Sequence, residues 1–349
     1  MKKHMVGLVG YGGMGHWHSE LLETFDGRIA LKGIYDINPD KLTMAKQDGY
    51  TAYPTFDAML ADPDIDIVLV ATPNDFHREY VVRALEGGKN AVSEKPVACT
   101  SKDLEAMIEA ADRTGKFFTV HQNRRWDEDF RTMKDIYDRK LLGDVFCIQS
   151  RVHGSRGIPG DWRGEKVHGG GMMLDWGVHI IDQMLLMVPE KVKKVYCMEQ
   201  HVTNYEVDDG FVLYLTFESG LVAQLEVGTS NFINLPRWYM LGENGTAVMQ
   251  DFDCKGKIVN ITDWDKKDAV PVKTAAGLTK TMAPRTNETI HTSDIVKIPA
   301  DIHDFYLNVC DVIEGKAESF IRHDEVLRVM RLMEAAHRSA ELCQVVDFE

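Results

Sequence analysis

The stretch Gly10-Tyr11-Gly12-Gly13-Met14-Gly15 decides how the first third of this chain folds. A short apolar run, residues 5–9, precedes it, and an amphipathic stretch to about Thr24 follows it. Glycines spaced G-x-G-x-x-G between a strand and a helix allow a tight turn, a close approach of phosphate and close helix packing. The helix N-terminus then offers unpaired N–H groups to an anion. We therefore predict a dinucleotide-binding turn formed by all six residues.

An acidic residue follows the next predicted strand, residues 29–35. Asp36 comes 21 positions after Gly15, where a carboxylate can accept hydrogen bonds from the adenosine ribose hydroxyls. The same carboxylate would repel a 2′-phosphate, so the sequence predicts NAD rather than NADP. The alternative is a glycine-rich turn in an unrelated α/β protein, with Asp36 capping the helix that begins near Asn38-Pro39.

The pattern around this turn predicts two domains. Apolar strands at 65–71, 90–93 and 117–120 alternate with helices at 77–86 and 104–114, which is typical of βαβ units in a Rossmann domain, residues 1–121. Beyond it, long strands at 145–153, 192–201, 211–218 and 221–229 indicate a large, mostly antiparallel open sheet in a second α/β domain, residues 122–349. We expect a hairpin at Glu218-Ser219-Gly220 and helices at 302–313 and 324–342. Residues 251–300 show no motif.

Composition narrows the possible partners and the cellular location. The chain has 349 residues and a net charge of −14, which argues against nucleic acid or an anionic membrane as a partner. No stretch approaches the roughly 20 apolar residues of a membrane span. The six cysteines lie far apart without a C-x-x-C pair, so we expect no disulfide framework and no metal site. Reduced thiols favour a cytoplasmic location.

Two segments lie where strands of the first domain end, at the edge of a parallel sheet where ligands bind. Thr72-Pro73-Asn74 follows the third strand, with His77 near by, and Ser93-Glu94-Lys95-Pro96 follows the fourth. Pro96 makes a cis peptide bond possible. The alternative for Lys95 is a simple surface charge.

A third segment is a predicted buried helix, residues 172–188, which is apolar nearly all round. Asp175, His179 and Asp182 fall on it at i, i+4 and i+7, which is one stripe on one face. Buried polar groups must be paired or face a wet cavity, so this stripe indicates a site. The alternative is a structural Asp–His network. Three glycines, 169–171, precede the helix and would allow a close approach of the backbone.

These residue types suit hydride transfer from an alcohol. His179, with an ordinary pKa of about 6.5, can act as general base for oxidation and general acid for reduction. Lys95 can stabilise the developing alkoxide, and Asp175 can orient His179 or bind a hydroxyl. Whether Lys95 or His179 takes the proton stays open at this stage.

Four motifs together carry a family resemblance. The glycine turn, A-T-P-N-D-F-H (71–77), E-K-P (94–96) and G-G-G-x-x-x-D-x-G-x-H-x-x-D (169–182) resemble the Gfo/Idh/MocA family of glucose–fructose oxidoreductases and inositol dehydrogenases. The resemblance implies Lys95, Asp175 and His179 as the catalytic group and a cis Lys95–Pro96 bond. It also implies a homodimer or homotetramer formed through the open sheet.

The resemblance also implies binding residues. Beside the glycine turn and Asp36, the residues expected at the cofactor are Thr72, Pro73, Asn74, His77, Glu94, Lys95, Asn123, Trp162 and Arg163. Those expected at the substrate are Lys95, Asn123, Arg124, Arg125, His168, Asp175 and His179.

The leading hypothesis is therefore an NAD-dependent dehydrogenase acting on a hydroxyl of a sugar, glycoside or cyclitol. One alternative is a glycoside-cleaving enzyme whose tightly bound NAD oxidises C3 transiently and so allows elimination. Another is a non-catalytic NAD-sensing protein on the same fold.

Overall fold

The structure is a computed structural model that describes residues 3–25, 27–266 and 268–349. Within these residues, six parallel strands form a sheet in the order β3-β2-β1-β4-β5-β6. The strands are β1 His4–Val9, β2 Ile29–Tyr35, β3 Thr51–Ala52, β4 Ile67–Val70, β5 Asn90–Ser93 and β6 Phe118–Val120. The helices between them are α1 Gly13–Glu23, α2 Pro39–Gln47, α3 Phe56–Leu60, α4 His77–Glu86 and α5 Ser101–Thr114. Every residue of β4 is buried, as expected for a strand covered on both faces.

A second sheet contains nine strands within the described ranges, in the order β16-β13-β12-β11-β7-β10-β9-β8-β17. Its neighbours pair antiparallel except β7 and β10, which are parallel. Its main strands are β7 Val145–His153, β8 Val192–Gln200, β9 Gly210–Phe217, β10 Val222–Gly228, β11 Trp238–Gly242, β12 Gly245–Met249 and β13 Gly256–Ile261. Its shorter strands are β16 Ile290–Asp294 and β17 Val346–Asp347, whereas β14 Val272–Thr274 and β15 Gly277–Thr279 pair with each other in a separate two-stranded sheet. The predicted fold class, Rossmann plus α/β with a mostly antiparallel sheet, is confirmed.

The predicted hairpin joins β9 to β10. Gly220 has φ +92°, and its N–H donates to the Phe217 oxygen at 3.0 Å, which closes the turn. By contrast, residues 251–300, which gave no motif, contain β13 to β16. All three residues of β14 are exposed, so its sequence carries no alternation of buried and exposed positions.

The helices of the second part are α6 Glu128–Asp138, α7 Val178–Met187, α8 His303–Ile313 and α9 His323–Leu342. Helix α8 packs back on the Rossmann sheet: Arg28 pairs with Asp311 at 2.9 Å and with Glu314 at 3.2 Å. The domain boundary after residue 121 stays a prediction. Among the described helices, none combines the length and apolar character that a membrane span needs.

Candidate active site

The turn after β1 leaves open space beside bare backbone. Gly10 has φ +91°, and a Cβ on Gly12 or Gly13 would meet no atom within 4 Å. A Cβ on Gly15 would lie 2.2 Å from the Gly10 oxygen, so glycine is required there for α1 to pack on β1. Helix α1 has no side-chain cap and no acidic residue in its first turn. Its first N–H groups are therefore available to an anion.

Asp36 lies beside this turn at the end of β2. Its Oδ2 accepts a hydrogen bond from the Tyr11 N–H at 2.7 Å, and its Oδ1 accepts one from the Asn38 N–H at 2.8 Å. These bonds hold the carboxylate at the carboxyl edge of the sheet. The Tyr11 ring is buried and its hydroxyl donates to Asp48 Oδ2 at 2.9 Å. A cofactor can therefore meet Tyr11 only through its backbone.

A cavity of about 730 Å³ lies along this edge. Most of the predicted cofactor residues line it: Gly10, Gly12, Gly13, Met14, Asp36, Thr72, Pro73, Asn74, Glu94, Lys95, Trp162 and Arg163. Further lining residues were not predicted: Tyr35, Ile37, Asn38, Lys41, Phe76, Tyr80 and Asp161. Two of these follow closely after Asp36 in the sequence, where they could have been predicted. Ile37 is an apolar side chain that is 78% exposed in the structure, and Lys41 is a cation in α2.

His77 lies behind the cavity and not in its wall. The buried ring places Nδ1 2.9 Å from the Pro96 oxygen and Nε2 2.9 Å from the Thr72 oxygen. The side chain thus connects the loop after β4 to the loop after β5. The predicted contact of His77 with the cofactor stays a prediction.

Lys95 and Asp175, predicted to act together, are in contact. Lys95 Nζ donates to Asp175 Oδ1 at 3.2 Å and to the Asp175 backbone oxygen at 3.0 Å. Arg163 Nε lies 3.5 Å from the same Oδ1. Burial by itself raises the pKa of Asp175, but Lys95 and Arg163 hold it below its usual value, so the carboxylate is ionised at neutral pH. The Lys95–Pro96 peptide bond is cis.

A π-helical turn, Met173–Gly177, precedes α7 and carries Asp175. The predicted continuous α-helix is therefore wrong at its start, and the α-helical spacing of Asp175 and His179 does not hold. His179 is 3% exposed, and its Nδ1 has no hydrogen-bond partner among the described residues. Burial and then the charges of Lys95 and Arg124 hold the pKa of His179 well below 6.5. The imidazole is neutral at pH 7 and can accept a proton.

Arg124, a predicted substrate contact, lies close to His179 on an aromatic face. Its guanidinium carbon is 4.1 Å from the Trp176 ring centre, and its Nη1 pairs with Asp127 at 2.8 Å. The Trp176 ring meets the His179 ring edge-on at 5.7 Å. Phe252, which was not predicted, adds a second ring 6.3 Å from Trp176. The group offers a substrate an aromatic surface beside a cation.

Arg125 and Asp182 form a structural pair. The guanidinium of Arg125 binds both carboxylate oxygens of Asp182, at 2.7 and 2.8 Å, and also pairs with Glu325 at 2.8 Å. These contacts engage the guanidinium of Arg125, and its predicted substrate contact stays a prediction. They also show that Asp182 does not extend the polar stripe into the site.

Two other predicted residues lie outside the lining of the cavity. His168 Nδ1 pairs with Asp75 at 3.0 Å, near the point where Asn74 Nδ2 donates to the Gly169 oxygen at 2.8 Å. Asn123 begins a 3₁₀ turn, and its Oδ1 is buried without a partner in the described part of the chain. Their predicted contacts with cofactor and substrate stay predictions.

Glu94, a predicted cofactor contact, is also the centre of a buried polar cluster that no sequence motif predicts. Its Oε1 accepts hydrogen bonds from His18 Nε2 and His121 Nδ1, each at 2.8 Å, and its Oε2 accepts one from the Lys95 N–H at 3.0 Å. One potential metal-ligand atom from each of His18, Glu94 and His121 lies within 4.8 Å of the others, which is close enough to hold a metal ion. Both nitrogens already bond the same oxygen, so we interpret the cluster as a hydrogen-bond network and assign no metal ligands to it.

Comparisons with known proteins agree with this geometry. Residues 4–122 match the model described as the oxidoreductase family, NAD-binding Rossmann fold. Residues 130–248 match the model of the GFO/IDH/MocA C-terminal domain.

Relatives of known name point the same way. The scyllo-inositol 2-dehydrogenase (NADP(+)) IolW of Bacillus subtilis is 27% identical over 348 residues, which are 99% of this chain and 96% of that protein. The myo-inositol 2-dehydrogenase of Thermotoga maritima is 26% identical over 228 residues, covering 63% of this chain and 67% of that protein. The crystal structure of an NAD-binding protein from Listeria innocua superposes with a TM-score of 0.97 at 46% identity, over the whole of both chains. Since both parts of the chain match domain models of one family, and a whole-length relative shares almost half of its residues, the chain belongs to the Gfo/Idh/MocA oxidoreductases, which bind NAD(P).

Proposed function

We propose that this chain is an NAD-dependent dehydrogenase that oxidises a secondary hydroxyl of a cyclitol, sugar or glycoside to a ketone, or reduces the ketone. One observation carries the proposal: Lys95 Nζ contacts Asp175 Oδ1 at 3.2 Å in the wall of the nucleotide cavity, with a neutral histidine close by. A cation held by a carboxylate beside a proton acceptor is what the oxidation of an alcohol requires. The two inositol dehydrogenases among the relatives support a polyol substrate.

The residues of the cavity fit a dinucleotide. Open space at Gly12 and Gly13, beside the uncapped start of α1, suits a pyrophosphate, and Asp36 suits the ribose hydroxyls of adenosine. A dinucleotide held by these residues would supply the hydride acceptor for oxidation or, in its reduced form, the hydride donor for reduction. Asp36 supports NAD over NADP, although the B. subtilis relative is named as an NADP(+) enzyme.

His179 takes the proton of the substrate hydroxyl. Its pKa, held well below 6.5 by burial and by the charges of Lys95 and Arg124, leaves the ring unprotonated at working pH. Lys95 donates a hydrogen bond to the substrate oxygen and stabilises the negative charge that develops there. Asp175 keeps Lys95 in place through the 3.2 Å contact.

The substrate binds next to Arg124 and Trp176. A sugar or cyclitol ring presents C–H groups on its faces and hydroxyls around its edge, so an aromatic face next to a guanidinium complements both. The stacking of Arg124 on Trp176 at 4.1 Å, adjacent to the His179 ring, supports this placement.

The proposal includes a homodimer or homotetramer, formed through the face of the nine-stranded sheet that the helices leave open. Tyr196, Met198, Val212 and Tyr214 alternate with buried residues along β8 and β9 and are partly exposed. A second copy of the chain would cover these apolar side chains. The six cysteines are unpaired, which supports a reducing, cytoplasmic setting. Light scattering of the purified chain measures its mass.

A screen for NADH formation across inositols, hexoses and glycosides tests the proposal, with a check for cofactor that copurifies. We expect NADH to form with at least one polyol. Glycoside cleavage without net NADH would replace the dehydrogenase with the elimination mechanism. Failure of every polyol either to react or to change the fluorescence of bound NADH would favour a non-catalytic NAD-sensing protein.

A further inference from the structure

The buried cluster around Glu94 has an unusual donor set. The carboxylate is 4% exposed and accepts three hydrogen bonds, of which two come from imidazoles on other elements, His18 of α1 and His121 after β6. A buried carboxylate is costly to ionise unless hydrogen bonds compensate for the water it loses. Burial indeed raises the pKa of Glu94, but His121 and His18 hold it well below its usual value.

The tautomers in the cluster follow from its partners. An ionised carboxylate can only accept, so His18 Nε2 and His121 Nδ1 must each carry the hydrogen. Burial lowers the pKa of His18 below 6.5, so its ring is neutral and its Nδ1 is an acceptor. Tyr306 of α8 supplies the matching hydroxyl donor to that Nδ1. The pKa of Tyr306 lies well above 10, because of burial and the nearby Glu94 charge, so its hydroxyl keeps its proton.

The position of Glu94 along the sheet indicates which end of a bound dinucleotide the cluster lies near. Asp36 ends β2 and Glu94 follows β5, and the strand order places β1 and β4 between them. Three strand spacings are about 14 Å. A dinucleotide with its adenosine ribose at Asp36 and its phosphates on the β1 turn therefore places its second nucleoside at the ends of β4 and β5. Glu94 and Lys95 line the cavity there.

We propose that His18 and His121 are positioning residues that keep Glu94 ionised, so that a fixed negative charge at this end of the cavity favours the cationic, oxidised cofactor over the reduced one. The inference rests on the proposed function, because it assumes that the cavity binds NAD. His18 and His121 thereby affect the relative affinity of the site for the oxidised and reduced cofactor, although neither residue lines the cavity.

Six titratable groups surround Glu94. Besides His18, His121 and Tyr306 they are His77 of α4, Lys95 next in the chain and His179 of α7. Burial lowers the pKa of His77 and of His179 below 6.5, so both rings are neutral and neither offsets the Glu94 charge near neutral pH.

Matched variants distinguish the effect of losing a hydrogen-bond donor from the effect of changing the packing. His18→Gln keeps an N–H at the position of Nε2, and His121→Asn keeps one at the position of Nδ1. His18→Leu and His121→Leu fill similar space without a donor. Glu94→Gln removes the charge at every pH and therefore gives the ratio of NADH to NAD⁺ dissociation constants expected when this charge is absent. Circular dichroism and the melting temperature establish that each variant is folded, and the single Leu variants serve if the double one is not.

The first measurement needs neither cofactor nor turnover. The side-chain carboxyl of Glu94 is followed by ¹³C NMR in protein labelled with [¹³C]glutamate, and its signal is assigned by its loss in Glu94→Gln. We expect it to stay ionised from about pH 8 to 6 in the native protein and in the Gln/Asn pair, and to take up a proton within that range in the Leu variants. A carboxyl that stays ionised in folded Leu variants would overturn the role of the histidines.

The second measurement is the ratio of the dissociation constants of NADH and NAD⁺, from NADH fluorescence and its displacement by NAD⁺. In the Leu variants we expect this ratio to fall by about tenfold as pH falls, toward the Glu94→Gln value, as for a unit charge roughly 10 Å away at an effective dielectric of about 20. A ratio equal to that of the native protein at every pH in both the Leu variants and Glu94→Gln would overturn the inference alone. If the native protein binds neither NAD⁺ nor NADH, the proposed function fails with it.

Discussion

Lys95 Nζ and Asp175 Oδ1 lie 3.2 Å apart, although Lys95 follows a strand of the parallel sheet and Asp175 belongs to a π turn that leads into α7. The contact spans 80 residues of chain, and Lys95 also donates to the backbone oxygen of Asp175. Because Lys95 follows the parallel sheet and Asp175 lies in the turn before α7, the pair exists only when these two parts of the chain are packed together. The proposed catalytic group therefore forms only in the packed chain.

Removal of either partner should reduce turnover more than cofactor binding. For Lys95→Met and Asp175→Asn we expect kcat to fall by about 10²- to 10³-fold, because the cation that stabilises the alkoxide is lost or misplaced. NADH binding, measured by fluorescence, should change far less. Lys134→Met is the control, since Lys134 pairs with Asp138 on the exposed side of α6. Lys95→Met with native turnover would contradict the assignment.

The pH profile should show where His179 titrates. Burial, Lys95 and Arg124 hold its pKa well below 6.5, so the ring stays unprotonated in the folded enzyme as pH falls through 6.5. We therefore expect the acid limb of kcat/KM from His179 to lie well below pH 6.5, and Arg124→Met to move this limb upward by removing one cation. His179→Gln should abolish the limb and most of the turnover. A limb near 6.5 that does not move in Arg124→Met would count against His179 as the base.

Asp36 and Lys41 should set the choice between NAD and NADP. Both side chains line the adenosine end of the cavity, and Lys41 Nζ has only a 3.9 Å contact with Met44 Sδ among the hydrogen bonds of the described residues. Asp36→Asn removes the charge that repels a 2′-phosphate and leaves Lys41 free to pair with it. We expect kcat/KM for NADP⁺ to rise by about tenfold or more. Lys41→Met in the Asp36→Asn background should reverse the gain, and a gain that survives it would exclude Lys41.

The first domain was the more predictable one, because its elements follow from local patterns. The sequence predicts β2, β5 and α4 with the bounds they have in the structure, since apolar runs and helix periodicity mark them directly. The π turn could not be predicted. It depends on what Met173–Gly177 pack against, and Asp208, 35 residues later, accepts a hydrogen bond from the Met173 N–H.

The candidate site was predictable as a set of residues but not as a set of contacts. Asp182 and Arg125 illustrate this limit: Asp182 lies within a motif and Arg125 was an expected substrate contact, yet the two pair with each other because each is buried and charged. His18 and His121 show the opposite case, since they lie in no motif and meet at Glu94 only in three dimensions. Spacing in a chain predicts neighbours within a helix, whereas such pairs depend on how separate elements pack.

Asp208, which binds the start of the π turn before α7, should make the stability of the native protein depend on pH. Its Oδ2 accepts from the Met173 N–H at 2.8 Å, and burial raises its pKa to about 7. The folded state then holds a proton that the unfolded state releases above pH 3.8, so this stabilisation is complete below 3.8 and is lost as pH rises to about 7. Asp208→Asn should remove this loss.

Urea unfolding of both proteins at several pH values measures the effect. We expect the free energy of unfolding of the native protein to fall relative to Asp208→Asn by at most about 1.4 kcal/mol per pH unit across this window. Asp209→Asn is the control, because Asp209 affects stability with the opposite dependence on pH. Burial raises the pKa of Asp209, but hydrogen bonds from Thr203 and its neighbours hold it below 3.8, so the stabilisation by Asp209 is lost as pH falls. Parallel curves for the native protein and Asp208→Asn would mean that folding leaves the pKa of Asp208 near its ordinary 3.8, so that a carboxylate accepts from the Met173 N–H across this window.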